Sequence, residues 1–170
     1  MSDVPPKTAF SPPDDSPPGP APSEPPLGFV LVDAARLYRA RIDRAFEGAG
    51  LGLTAGEART LAYVDYHPGL RQTALAEKMN VEPMTLVGFL DRLEAAGLLV
   101  RETDPRDRRA KIVKLTPEAT PSIAGVLAAA AAARREATCG FSETEQALLR
   151  DLLLRLRDNL AREHRSRDEK

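Results

Sequence analysis

Between Arg71 and Thr116 the chain reads RQTALAEKMNVEPMTLVGFLDRLEAAGLLVRETDPRDRRAKIVKLT, and this run constrains the fold more than any other. Leu75, Ala76 and Met79 recur at helical spacing, with Thr73 placed to cap the helix start. Asn80 and Val81 interrupt that pattern. A second begins at Glu82, where Pro83 suits the first helical position because its missing N–H would be unpaired there anyway. Met84, Val87, Leu90 and Leu93 or Glu94 mark its successive turns. Gly97 then supplies the positive φ that a helix C-terminus wants. Leu98–Arg101 and Lys111–Leu115 are β-prone runs, separated by the turn residues Asp104-Pro105-Arg106-Asp107.

A helix, a tight turn, a second helix and a hairpin with a basic tip make a winged helix-turn-helix, an arrangement that reads DNA. The run from Leu53 through Thr116 resembles the MarR family of bacterial transcription regulators. The likeness is nearest to the SlyA-type branch, through Glu82-Pro83-Met84-Thr85-Leu86-Val87 and then Leu90-Asp91-Arg92-Leu93-Glu94. The wing Asp104-Pro105-Arg106-Asp107-Arg108-Arg109-Ala110-Lys111, closing on Leu115-Thr116, matches the family's wing. The resemblance implies a homodimer, and an Asp that holds the wing Arg two residues later by a salt bridge, here Asp107 and Arg109. It also implies a cleft for small aromatic acids between the dimerisation helices and the DNA-binding lobe.

Composition narrows the setting. Across 170 residues the net charge is only −1, so any surface that attracts nucleic acid must be local. A single cysteine forms no internal disulfide, which suits a reducing cytoplasm. No apolar run approaches the roughly 18 residues of a membrane span, and the start lacks a secretory signal's basic flank and apolar core. Ten of the fifteen prolines fall in residues 1–26, which hold few large apolar residues; that stretch reads as a disordered, Pro-rich tail.

The remaining chain, 27–165, reads as one mostly α domain with a small β-hairpin wing. Its DNA-binding lobe covers about 53–116, and long dimerisation helices cover about 28–49 and 117–162. In the first of these, Leu31, Ala34, Tyr38, Ile42 and Ala45 recur at helical spacing. Thr54-Ala55-Gly56-Glu57 forms a capping box for a helix carrying Ala58, Leu61, Ala62 and Val64, stopped by His67-Pro68-Gly69. Thr116-Pro117-Glu118 caps a helix with Ile123, Val126, Leu127 and Ala130 on one face. After Cys139-Gly140, Ser142-Glu143-Thr144-Glu145 is a second capping box, followed by the stripe Leu149, Leu152, Leu153, Leu156 and Leu160. A small wing domain offers little for two long helices to cover, so the leftover apolar faces predict a homodimer. Two recognition helices one DNA turn apart, roughly 34 Å, would then read an inverted repeat in double-stranded DNA.

Candidate DNA contacts are Thr73, Glu82, Thr85, Leu86, Gly88, Phe89 and Arg92 on the helices, with Arg106, Asp107, Arg108, Arg109 and Lys111 on the wing. Thr85 has a hydroxyl for a phosphate or base edge and a methyl for thymine. Gly88 departs from the family, which often carries Arg or another polar residue there; a glycine reads no base, which leaves more to the wing and to DNA shape. An arginine at a hairpin tip suits a narrow minor groove, where negative potential is enhanced. Tyr38, Arg41, Tyr63, Tyr66 and His67 are candidates for an aromatic anion, since a guanidinium among rings suits a phenolic acid.

Other classes find less in the residues. Two histidines and one cysteine, far apart, give no metal spacing, and there is no phosphate-binding glycine loop, so neither enzyme nor cofactor is expected. A winged-helix module that binds only proteins would not need three arginines at its wing tip. Cys139 near Arg134 and Arg135 raises a thiol-based sensor, but the family's peroxide sensors carry their cysteine near the N-terminal helix. The sequence therefore predicts a homodimeric DNA-binding regulator, with a repressor responsive to a small ligand as its most specific form.

Overall fold

The computed structural model describes residues 24–168, with side chains through residue 161. Most of the Pro-rich stretch expected to be disordered, residues 1–23, lies outside the described residues. Six helices and one hairpin follow in order: α1 (Leu27–Gly48), α2 (Ala55–Tyr66), α3 (Gln72–Met79), α4 (Pro83–Ala95), β1 (Leu99–Asp104), β2 (Asp107–Leu115), α5 (Thr120–Ala137) and α6 (Glu143–Asp168). A single 3-10 turn, Pro117–Ala119, leads into α5.

Local chemistry sets most of the boundaries. Thr54 and Glu57 form the expected capping box, each side chain accepting the other's backbone N–H. Ser142 and Glu145 repeat it at α6. Asn80 takes the left-handed conformation between α3 and α4 (φ 50°), Pro83 opens α4, and Gly97 has φ 72° just beyond its end. Two expected caps are not made. Arg71, not Thr73, is the N-cap of α3, and no side chain closes that end. Its neighbour Leu70 is engaged with the hairpin, so the helix begins earlier than the hydroxyl suggests. Thr116 donates its hydroxyl to the Gly97 carbonyl at 2.6 Å, tying the end of the wing to the end of α4 instead of capping a helix.

The core of the lobe joins α2, α3, α4, the hairpin and the start of α5. Leu61, Val64, Leu75, Ala76, Met79, Leu86, Leu90, Leu93, Leu99, Val113 and Ile123 are all buried in it. A second, smaller cluster of Phe46, Ala58 and Val126 binds α1, α2 and α5 together. Gly56 and Gly125 mark the closest approaches. A Cβ on Gly125 would lie 2.5 Å from a Leu51 methyl, and one on Gly56 would lie 2.4 Å from the tip of the Phe89 ring. Gly56→Leu is therefore expected to lower stability by roughly 1–3 kcal/mol through overpacking. Urea unfolding measures this, and a wild-type midpoint would mean that Phe89 does not depend on that gap.

The flanking helices are differently placed. The first turns of α1 carry Leu27, Phe29, Val30, Val32 and Leu37 in the open, and only Phe46, near its end, is buried. Of the positions at helical spacing, Ala34 and Tyr38 are exposed, as is Leu127 on α5. On α6, Leu148, Leu149, Leu152, Leu153, Leu154 and Leu160 are all exposed in the single chain. No described helix is long and apolar enough to cross a membrane.

Candidate nucleic-acid interface

Helix α4 turns Leu86, Leu90 and Leu93 inward, three positions that share one side at i, i+4 and i+7. Leu86 is fully buried and cannot face DNA, which corrects the expectation that it does. Phe89 is half-buried, packs against the same core and presses its ring onto Gly56 of α2; it too belongs to the packing face. At the other end of the helix Met84, which the apolar spacing places inside, is instead 78% exposed. Geometry therefore leaves Met84, Thr85, Gly88, Asp91 and Arg92 on the outward side. Space above Gly88 is open, its nearest neighbour being an Arg92 nitrogen 3.7 Å from where a Cβ would stand.

Arg92 is not a loose cation. Its guanidinium bonds the carboxylate of Glu57, the capping-box residue of α2, and lies 5.6 Å from the centre of the Phe89 ring. Burial raises the Glu57 pKa, but hydrogen bonds from Arg92 and Thr54 outweigh it and hold the carboxyl below its ordinary range. One residue thus caps α2 and orients an arginine on α4. Asp91, whose charge would otherwise repel a phosphate, pairs with Arg101 of β1 at 2.7 Å. Arg101 also holds Glu94 at 2.5 Å, and that contact, the largest influence on Glu94, lowers its pKa.

The hairpin is antiparallel, with Leu99 opposite Leu115 and a register slip between Thr103 and Asp104. Its acids are occupied locally. Asp104 is buried and accepts the Arg106 backbone N–H at 2.8 Å and the Arg71 side chain at 2.7 Å. Those two donors, the backbone one first, lower its pKa. A lowered carboxyl is charged at neutral pH and loses its contribution only as pH falls through that lowered value. Glu102 pairs with Lys114 at 2.7 Å. Asp107 accepts the backbone N–H of Arg109 at 3.1 Å, and its other oxygen lies 3.7 Å from Arg71. The salt bridge to the Arg109 guanidinium that the family resemblance implies is not formed. Among the described residues, Arg106, Arg108 and Arg109 are exposed and in no ion pair, while Lys111 donates to the Thr103 hydroxyl at 3.0 Å.

Two clefts join these parts into one surface. One of about 190 Å³ is lined by Arg71, Gln72, Thr73, Arg109, Ala110 and Lys111, so the start of α3 faces the wing. The other, about 490 Å³, runs from Thr73 past Glu77 and Asn80 to Glu82 and Pro83 at the start of α4. Thr73 lines both. Arg71 is the residue here that sequence reasoning missed; nothing local marks it, because its partners lie 33 and 36 positions ahead.

The residues considered for an aromatic anion do not converge in the same way. Tyr63 and Tyr66 both approach His67, with ring centres 6.2 and 4.7 Å apart. Arg41 instead pairs with Glu136 of α5, which neutralises the cation expected to receive a carboxylate. Tyr38 is exposed on α1, and Cys139 is exposed beyond the end of α5.

A model of the MarR family matches residues 53–111. The chain is similar to the solved transcriptional regulator PA3341, with 38% identity over 79% of this chain and 98% of that one and a TM-score of 0.67. It is similar to MarR at 29% identity, covering 84% of this chain and 95% of that one with a TM-score of 0.68. BpsR of Bordetella bronchiseptica, whose DNA binding is regulated by 6-hydroxynicotinic acid, shares the fold at 23% identity, 82% and 99% coverage and a TM-score of 0.63.

Proposed function

This chain belongs to the MarR family, and from that premise we propose that it is a homodimeric, sequence-specific DNA-binding repressor working in the cytoplasm. The observation that carries the reading is the division of labour on the wing. Every wing acid is engaged within the protein, and three tip arginines are left for something outside it. Phosphates or a narrow minor groove suit such a tip. Thr73, Glu82, Thr85 and Arg92 lie where α3 and α4 would meet the major groove, with Thr85 suited to a thymine methyl and Glu82 to a cytosine amino group. Exposed apolar faces on α1 and α6 support the dimer, since such faces mark an interface when they are large and contiguous.

The SlyA-type likeness rests on the motif from Glu82 to Glu94 and on the wing. Effector control by a small aromatic acid rests on the Tyr63, Tyr66 and His67 cluster and on the example of BpsR. With Arg41 already paired, such an acid would have to displace Glu136 or find another cation.

A test needs no known operator. The protein is incubated with a pool of random-sequence duplexes, and the retained fraction is sequenced. The expected product is an inverted repeat with half-sites about one helical turn apart. Affinity for the enriched duplex should fall steeply with salt, and Arg109→Ala, which removes one cation from each subunit, should weaken it and reduce the logarithmic salt slope by about 2. No enrichment at low salt would overturn the reading in favour of a protein-binding module.

A further inference from the structure

We infer that Arg71 and Asp104 form a clamp that fixes the wing against the helix-turn-helix, making both positioning residues for the DNA contact of Arg109. The inference rests on the DNA-binding reading above and assigns these residues no contact with the bases.

The backbone argument comes first. Leu70 and Arg71, just before α3, lie alongside β2 as a short extra strand: Leu70 accepts the Val113 backbone N–H at 3.1 Å, and Arg71 bridges to Ile112. A two-stranded ribbon is marginal by itself, and a third strand with a packed face is what gives a hairpin a fixed attitude. This attachment stops at Ile112, short of the tip. From Thr103 outward the register slips, and Asp104 pairs with Asp107 out of step with the pairs before it.

The side chains continue where the backbone stops. The slip turns Asp104 inward, where it is 7% exposed although it is a charged residue beside a turn. One carboxylate oxygen accepts the Arg106 N–H and so shapes the turn; the other accepts Nε of Arg71. The same guanidinium approaches Asp107, whose carboxylate holds the backbone of Arg109. A chain of contacts therefore runs from the N-cap of α3 to the residue proposed to enter the groove. Arg71 keeps 43% of its side chain exposed against 9% for Asp104, so water screens one end of the pair and only that end follows the rule that exposed charges add little to global stability. What this one changes is orientation.

The sign of the effect makes the inference testable. Removing an acid from a DNA-binding wing ordinarily strengthens binding, because less charge opposes the phosphates. If Asp104 positions the tip, Asp104→Ala should instead weaken binding to the enriched duplex, by about tenfold, and nearly lose that effect in the Arg109→Ala background. Asp104→Asn, which keeps the shape and loses the charge, and Arg71→Gln should show the same dependence on Arg109. Circular dichroism checks that each variant is folded, and the isosteric Asp104→Asn carries the test if the alanine variant is not. Binding by Asp104→Asn equal to or tighter than wild type, or losses that simply add to those of Arg109→Ala, would overturn the clamp. A single Arg109→Ala variant with wild-type affinity and salt slope would instead overturn the wing contact itself.

Discussion

Leu149→Glu combined with Leu153→Glu is expected to leave the protein monomeric and its affinity for the enriched duplex about 10²–10⁴-fold weaker. Both leucines are partly exposed in the single chain, at 39% and 43%, and with Leu156 and Leu160 they fall on one stripe of α6. An isologous contact repeats each residue, so two substitutions place four carboxylates in the interface. Each loses the part of a leucine still open in the single chain, a fraction of the roughly 1.5–3 kcal/mol of full burial, and adds a charge that apolar surroundings exclude. The loss of DNA affinity follows from geometry, because a monomer reads one half-site and forfeits the second, effectively intramolecular, contact. Leu154→Glu is the control: Leu154 is 42% exposed but lies off the stripe, so the variant should sediment and bind as wild type. A double variant that still sediments as a dimer would show that other faces, such as the exposed start of α1, carry the association.

The elements legible in the sequence are those whose chemistry is local. Thr54 and Glu57 sit three residues apart and cap one helix whatever surrounds them, and Ser142 with Glu145 does the same. Pro83 and Gly97 bracket α4 through backbone conformation alone. The basic wing tip needed only a turn and its neighbours. What was misread depended on partners far along the chain. Helix α4 carries apolar residues at 84, 86, 87, 89, 90 and 93, so periodicity by itself does not choose a face. Gly56, some thirty positions earlier, leaves the space that the Phe89 ring fills, on the same side of the helix as Leu86 and Leu90.

The same limit hid the electrostatics of the site. Counting charges along the wing gives a modest basic excess, but the count does not say which cations are free. Pairing does: Lys114 and Arg101 are neutralised, Arg71 is committed to Asp104, and the tip is left positive. The family resemblance implies that Asp107 holds the Arg109 side chain, but it holds that residue's backbone N–H instead. The difference matters for function, since a guanidinium without a carboxylate partner is available to a phosphate without first losing an ion pair.

Leu86→Ala should separate packing from reading on the recognition helix. Leu86 is fully buried in the cluster that unites α2, α3, α4 and the hairpin, so truncating it removes apolar contact and leaves a cavity. The expected cost is about 2–5 kcal/mol, seen as a lower urea midpoint with an unchanged slope. Among molecules that remain folded, the base preference of the enriched duplex should be that of the wild type. Met84→Ala is the converse, because its side chain is 78% exposed at the start of the same helix. It should move stability by no more than about 0.5 kcal/mol, as exposed substitutions usually do. Any effect it has should appear in DNA preference, most directly as weaker discrimination for a thymine methyl near its end of the half-site. Wild-type stability in Leu86→Ala together with an altered base preference would return Leu86 to the groove and sink the placement of this face.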